Sequence, residues 1–124
     1  AARINAPADA FANTLNQQVT SLTRLANSKT RPVIFDNDAA GDDVLALILV
    51  ANDPGIDLRA ITVTGTGEAH GEAGAVNMAA IAAMLGKPQV PVAYGRTEPL
   101  SKAGKPFPAF MRTGMDNLLA GSDL

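Results

Sequence analysis

Four aspartates fall within eight residues, in the run Asp36-Asn37-Asp38-Ala39-Ala40-Gly41-Asp42-Asp43, between an apolar stretch (Val33, Ile34, Phe35) and a second that runs from Val44 to Val50. Two carboxylates about 5 Å apart repel by roughly 3 kcal/mol at an effective dielectric of about 20, so four at the end of a hydrophobic strand need a cation or bound protons to offset them. A divalent metal is the simplest such partner, and a hard one, because every acid in the cluster offers oxygen. Asp42 and Asp43 have a plainer reading as acids in the first turn of a helix starting at Gly41 or Asp42, worth about 0.3–1 kcal/mol each against the macrodipole. That accounts for two of the four. Asp36 and Asp38 precede the helix, at the carboxyl end of the strand, where ligands bind in parallel α/β sheets.

Two other aspartate motifs place acids at similar spacing. An EF-hand loop starting at Asp36 would place Gly41 at its sixth position, but Ala40 stands at the fifth ligand and Leu47 where the closing bidentate Glu belongs. The EF-hand reading fails. A metal-dependent phosphohydrolase of haloacid-dehalogenase-like type, with Asp-x-Asp followed at the next-but-one position by Thr or Val, matches Asp36 and Asp38 but meets Ala40 there. It has no need of the Asp42-Asp43 pair and stays as the alternative.

The stretch Pro32 to Leu47 resembles the amino-terminal signature of the nucleoside hydrolases, the inosine-uridine-preferring enzymes and their relatives: an apolar strand, Asp-x-Asp-Pro-Gly-x-Asp-Asp, then an apolar helix. Here Ala39 and Ala40 replace Pro-Gly, while all four aspartates keep their spacing. Further matches follow in order. Leu58 to Gly65 is similar to the family's second strand, Ala75-Val76-Asn77-Met78-Ala79-Ala80 to its Asn-bearing second helix, Val90 to Gly95 to its third strand, and Arg112 to Leu119 to the short glycine-containing segment beyond. The resemblance covers about residues 31–120, the amino-terminal part of such an enzyme.

The resemblance implies calcium-dependent hydrolysis of the N-glycosidic bond of nucleosides to ribose and free base. Asp38 would bind Ca2+ and act as the base that activates a metal-bound water, Asp43 would be the second calcium ligand, Asp42 would hydrogen-bond a ribose hydroxyl, and Asp36 would support the site. Such attack passes through an oxocarbenium-like state, by the logic of an inverting glycosidase. Glu68 takes the place of the family's ribose-binding Asn in the loop Gly65-Thr66-Gly67-Glu68-Ala69-His70-Gly71 and can accept, though not donate, hydrogen bonds to sugar hydroxyls. Asn77 is counted with these substrate-binding residues, although within an Ala-rich helix an Asn also reads as a structural bond to a neighbouring loop. A non-catalytic nucleoside- or calcium-binding module of the same fold is the other alternative.

Read without the resemblance, the Gly65–Gly71 loop looks like a Gly-x-Gly phosphate cradle. It follows the second strand rather than the first, however, and Glu68 beside four aspartates would repel phosphate. His70 is the one histidine of the chain. A lone loop histidine is more often structural or exposed than catalytic.

These side chains need a scaffold, and the hydrophobic pattern supplies one. Strand (about 32–36), helix (42–51), strand (58–64), helix (72–85) and strand (90–94) alternate, with stops at Asn52-Asp53-Pro54-Gly55 and Gly86-Lys87-Pro88. Short loops between alternating elements imply parallel strands with right-handed crossovers: an α/β, Rossmann-like sheet with flanking helices, incomplete in this chain. Asp38, Glu68 and Tyr94 should emerge at the same edge of it. Residues 1–30 read as a helical extension and linker, with Phe11, Leu15, Val19, Leu22 and Leu25 forming the apolar stripe of a helix from Asp9 to Ala26 that packs on the main domain. Residues 31–124 form the α/β part.

At 124 residues and 47% apolar, the chain can bury one core. A net charge of −2 without a basic stripe argues against nucleic acid, an aromatic content of 4% against base stacking, and no apolar run approaches a membrane span. Zero cysteines exclude disulfides. The Ala-rich start without Met is what removal of a secretory signal would leave, so export is one expectation and a cytoplasmic location the other. The family's enzymes are more than twice this long, and their later half supplies further calcium ligands and the base-binding residues. The expected partners are therefore a nucleoside and the C-terminal half of the same protein as a separate chain, together with assembly into a homo-oligomer.

Overall fold

The computed structural model describes residues 10, 12–20, 29–101 and 104–122. The chain separates into two compact units, 1–30 and 31–124. In the first, residues 12–20 are helical and Leu15 and Val19 are exposed. Asp9, Phe11, Leu22, Leu25 and Ala26, on which the rest of the expected helix falls, lie outside the described residues.

The second unit runs β1 (Arg31–Asn37), α1 (Gly41–Asn52), β2 (Ile56–Val63), α2 (Gly71–Met84), β3 (Val92–Tyr94), α3 (Ala109–Asp116). The sheet order is β1-β2-β3 and both pairings are parallel. This is the incomplete Rossmann-like sheet that the alternation implied. β3 is shorter than its apolar run because Pro91 has no amide hydrogen to give; its carbonyl still accepts from the Ile61 amide at 3.0 Å. In register, Asn37 stands beside Val63 and Val63 beside Tyr94, so all three strands end on one line, and Asp38, Thr64 and Gly95 leave the sheet together.

With strands in sequential order, two right-handed crossovers place both helices on the same face. That face carries the core: Leu47 of α1, Leu58, Ile61 and Val63 of β2, and Ala75, Met78, Ile81 and Ala82 of α2. Leu58 and Ile61 can both face it because the register with β1 shifts between Val33 and Ile34, leaving Arg59 as the extra residue of a bulge that resets the alternation. Among the described residues of this unit the other face is largely bare. Ile34 there is 65% exposed, and Asp36 points the same way by the two-residue period of the strand.

Candidate functional site

The turn after β1 is built by Asn37, whose side chain is buried on the core face and spends both ends locally. Its Nδ2 donates to the Thr62 carbonyl at 3.0 Å and its Oδ1 accepts from the Ala39 amide at 3.0 Å. Ala39 is thereby held at φ 61, a left-handed conformation that costs an L-residue about 1–2 kcal/mol. Its methyl is fully buried against Gly74 of α2, where any larger residue would collide: a Cβ at 74 would lie 2.8 Å from that of Ala39 and 3.0 Å from Val63 Cγ1. A strained, over-determined turn of this kind is where an active site stores its geometry.

The turn delivers Asp38 to Asp43. Asp43 Oδ2 accepts from the Asp38 amide at 3.1 Å and from the Ala40 amide at 3.2 Å, tying the start of α1 to the strand end. The two carboxyl groups lie against each other. Burial pushes the Asp43 carboxyl above its ordinary value, and the neighbouring Asp38 carboxyl pushes it further, while the two amides oppose both. From the other side, the Glu68 amide donates to Asp38 Oδ2 at 3.1 Å and the Ala69 amide to the Asp38 carbonyl at 3.2 Å. Gly67 makes this approach feasible, since a Cβ there would fall inside the Asp38 side chain.

A folded-state value raised above the unfolded one makes Asp43 favour the native state most at low pH, and that contribution is lost as pH rises through the raised value. In chelator, the protein should therefore lose stability as pH climbs past the ordinary carboxylate range. Asp43→Asn should flatten that loss, because the amide oxygen still accepts the two backbone bonds without the charge. Thermal melts across pH of wild type and variant check it, and parallel curves would refute it.

The remaining expected residues fall in different places. Asp42 is exposed in the first turn of α1, and the Glu68 side chain is half-buried in the loop that grips Asp38. Asp36 accepts from the Thr62 hydroxyl at 2.6 Å on the bare face rather than standing beside the Asp38–Asp43 pair, because β1 ends at Asn37 and the turn takes Asp38 out of the strand's alternation. It also lines a cavity of about 590 Å³ with Thr62, Thr64, Thr66, Tyr94 and Arg96, to which neither Asp38 nor Asp43 contributes. Asn77 is buried, and its Nδ2 is directed to α3, donating to the Met115 carbonyl at 2.8 Å, not to the Asp38 loop. A buried amide in a helix has to be satisfied by what packs on it.

His70 pairs with Asp116, whose carboxylate takes the His70 amide at 2.8 Å and lies 2.6 Å from Nδ1. Desolvation alone would raise the Asp116 carboxyl, but the His70 bonds and charge together with Arg112 outweigh it and hold the value down. Arg112 was not singled out in the sequence, yet its Nη2 donates to both the Gly65 and Ala69 carbonyls, at 2.8 and 2.9 Å. Its signal in the sequence is a lone cation in an amphipathic eight-residue segment. Among the described residues no group of three or more His, Cys, Asp or Glu side chains is placed to hold a metal.

Comparison with known proteins bears on the same residues. The family model of the inosine-uridine preferring nucleoside hydrolases matches residues 33–122, from the middle of β1 to just past α3. The chain is similar to the pyrimidine-specific ribonucleoside hydrolase RihA of Photobacterium profundum, at 38% identity over 73 residues, which is 59% of this chain and 23% of that protein. It is also similar to RihA of Citrobacter koseri, at 34% identity over 71 residues, 57% of this chain and 22% of that one. The chain thus spans under a quarter of the length of these relatives. The match holds the strained turn, the paired carboxylates and the loop that grips them in one segment, and the chain belongs to the inosine-uridine preferring nucleoside hydrolase family.

Proposed function

We propose that this chain supplies the metal and ribose side of a site that hydrolyses the N-glycosidic bond of nucleosides. The observation that carries the reading is the Asp38–Asp43 pair, two carboxyl groups held against each other by backbone amides at the carboxyl ends of parallel strands. Holding like charges together is unfavourable unless a cation joins them, and oxygen donors suit Ca2+. The pair fits part of a calcium shell: two carboxylates give at most four of the six to eight oxygens required. Calcium held there would supply positive charge and lower the pKa of water beside it.

Asp38 is the proposed base, taking a proton from the attacking water while its Oδ2 stays oriented by the Glu68 amide. The water oxygen bonds to the anomeric carbon as the bond from that carbon to the base nitrogen breaks, and the departing base takes up a proton. Asp42 and Glu68 are placed to accept hydrogen bonds from ribose hydroxyls. Asn77 serves through α3. Asp36 would support the site from the bare face of the sheet.

We further infer that a C-terminal part on a separate polypeptide covers the bare face and provides the missing calcium ligands, and that the whole assembles as a homo-oligomer. The exposed Ile34 supports the covering of that face.

The test of function uses this chain together with that C-terminal part, the completed protein. It should release free base and ribose from a panel of nucleosides, with pyrimidine ribonucleosides the first to try, as the relatives' names suggest. Chelation should stop turnover and added calcium restore it. Release of phosphate from nucleotides with nucleosides left intact would replace this reading by the phosphohydrolase one. Nucleoside binding without any turnover would favour the binding module.

A further inference from the structure

We propose that Arg112 is a positioning residue for the Asp38 carboxylate, a role that rests on the site proposed above. The single Nη2 amino group of Arg112 holds the carbonyls of Gly65 and Ala69, the two ends of the segment whose middle grips Asp38 through the Glu68 amide and the bare backbone of Gly67. Two hydrogens on one nitrogen, each on a different carbonyl, fix the distance across the loop. The next residue along, His70, is held by Asp116 one helical turn further on α3. Asn77 of α2 in turn donates to the carbonyl of Met115. α3 is therefore a clasp that holds the loop through Arg112 and Asp116 and is itself tied to α2 through Asn77, and the loop so held gives its Glu68 amide to Asp38.

Packing economy does not explain the arginine. Its Nε is buried without a hydrogen-bond partner among the described residues, an arrangement that costs stability. What the position gains is the loop. If the loop drifts, the Glu68 amide leaves Oδ2, and the Asp38 carboxylate loses a bond that orients it beside Asp43.

The experiment compares the completed protein as wild type, Arg112→Gln, Arg112→Lys and, as a core control, Ile81→Val, which trims a buried residue of α2 outside the loop. Three readouts are taken: amide hydrogen exchange over residues 65–69 in chelator, calcium affinity by calorimetry, and kcat and KM on a nucleoside. Arg112→Gln should speed exchange, weaken calcium binding and lower kcat by about tenfold or more each, with KM moved far less, as expected when a transition-state group is misplaced. Arg112→Lys should recover part of each loss. The control should change none of them at a comparable drop in melting temperature. Unchanged exchange in Arg112→Gln, or equal effects from Ile81→Val, would overturn the proposal. If wild type binds no calcium and cleaves no nucleoside, the proposed function falls by itself, and faster loop exchange in Arg112→Gln with slow exchange in the control would still sustain the clasp.

Discussion

Asp38→Asn should lower nucleoside hydrolysis by the completed protein by more than the roughly 10²–10⁴-fold that a general base contributes, because the change removes a charged metal ligand together with the base. The fold should survive. Asn keeps the volume of Asp, and its side-chain oxygen can still accept the Glu68 amide now bonded to Oδ2. Its amide group would then face the Asp43 carboxyl and replace a repulsion with a hydrogen bond, so the melting temperature in chelator should hold or rise. The same variant should lose the stabilisation that calcium gives wild type. A variant keeping more than about a tenth of the wild-type rate would remove Asp38 from the role of base.

The parts of this site that could be read from the sequence are those whose signal is local. The order of strands and helices is carried by apolar runs punctuated at Pro54-Gly55 and Gly86, and the parallel sheet follows from alternation with short connections. The pairing of Asp38 with Asp43 is likewise local: they lie five residues apart across one strand-to-helix turn. The bulge at Arg59 was not legible, because it depends on how β2 is matched to β1 and nothing in the run Ile56 to Val63 marks it.

Asp36 shows the limit of proximity in sequence. It sits two residues from Asp38, and a continued strand would put both on one face, but β1 ends at Asn37 and the turn beyond carries Asp38 away while Asp36 stays on the sheet against Thr62. The clasp was invisible for the opposite reason. Arg112 and Gly65 are 47 residues apart, and the partners of Arg112 are backbone carbonyls, which every residue has and which no motif announces. The positive φ of Ala39 also escapes the sequence, since alanine there gives none of the warning that a glycine would.

Gly67→Ala should be nearly as damaging as the loss of Asp38 itself, although it adds only a methyl group. A Cβ at 67 would lie 2.5 Å from the carboxyl carbon of Asp38 and closer still to its Cβ and Oδ2. The obstacle is space and not backbone conformation, because Gly67 is not among the glycines with positive φ, which are Gly86 and Gly121. Alanine can therefore adopt the local backbone, and one of two things must move. Either the Asp38 carboxylate swings away and gives up the Glu68 amide, or the loop retreats and breaks the bonds from Ala69 to Asp38 and from Arg112 to Gly65 and Ala69. The first displaces the proposed base and the second leaves its carboxylate without the amide that orients it, and a misplacement of about 1 Å can cost about 10²-fold in rate. The core of Leu47, Ile61 and Met78 is made elsewhere, so far-ultraviolet circular dichroism should match wild type while kcat and calcium affinity fall together. Gly67→Ser should behave alike, since it adds the same Cβ. Either variant retaining its rate within about tenfold of wild type would show that the Asp38 carboxylate does not need the Gly67 backbone against it, and with that the loop would lose its place in the site.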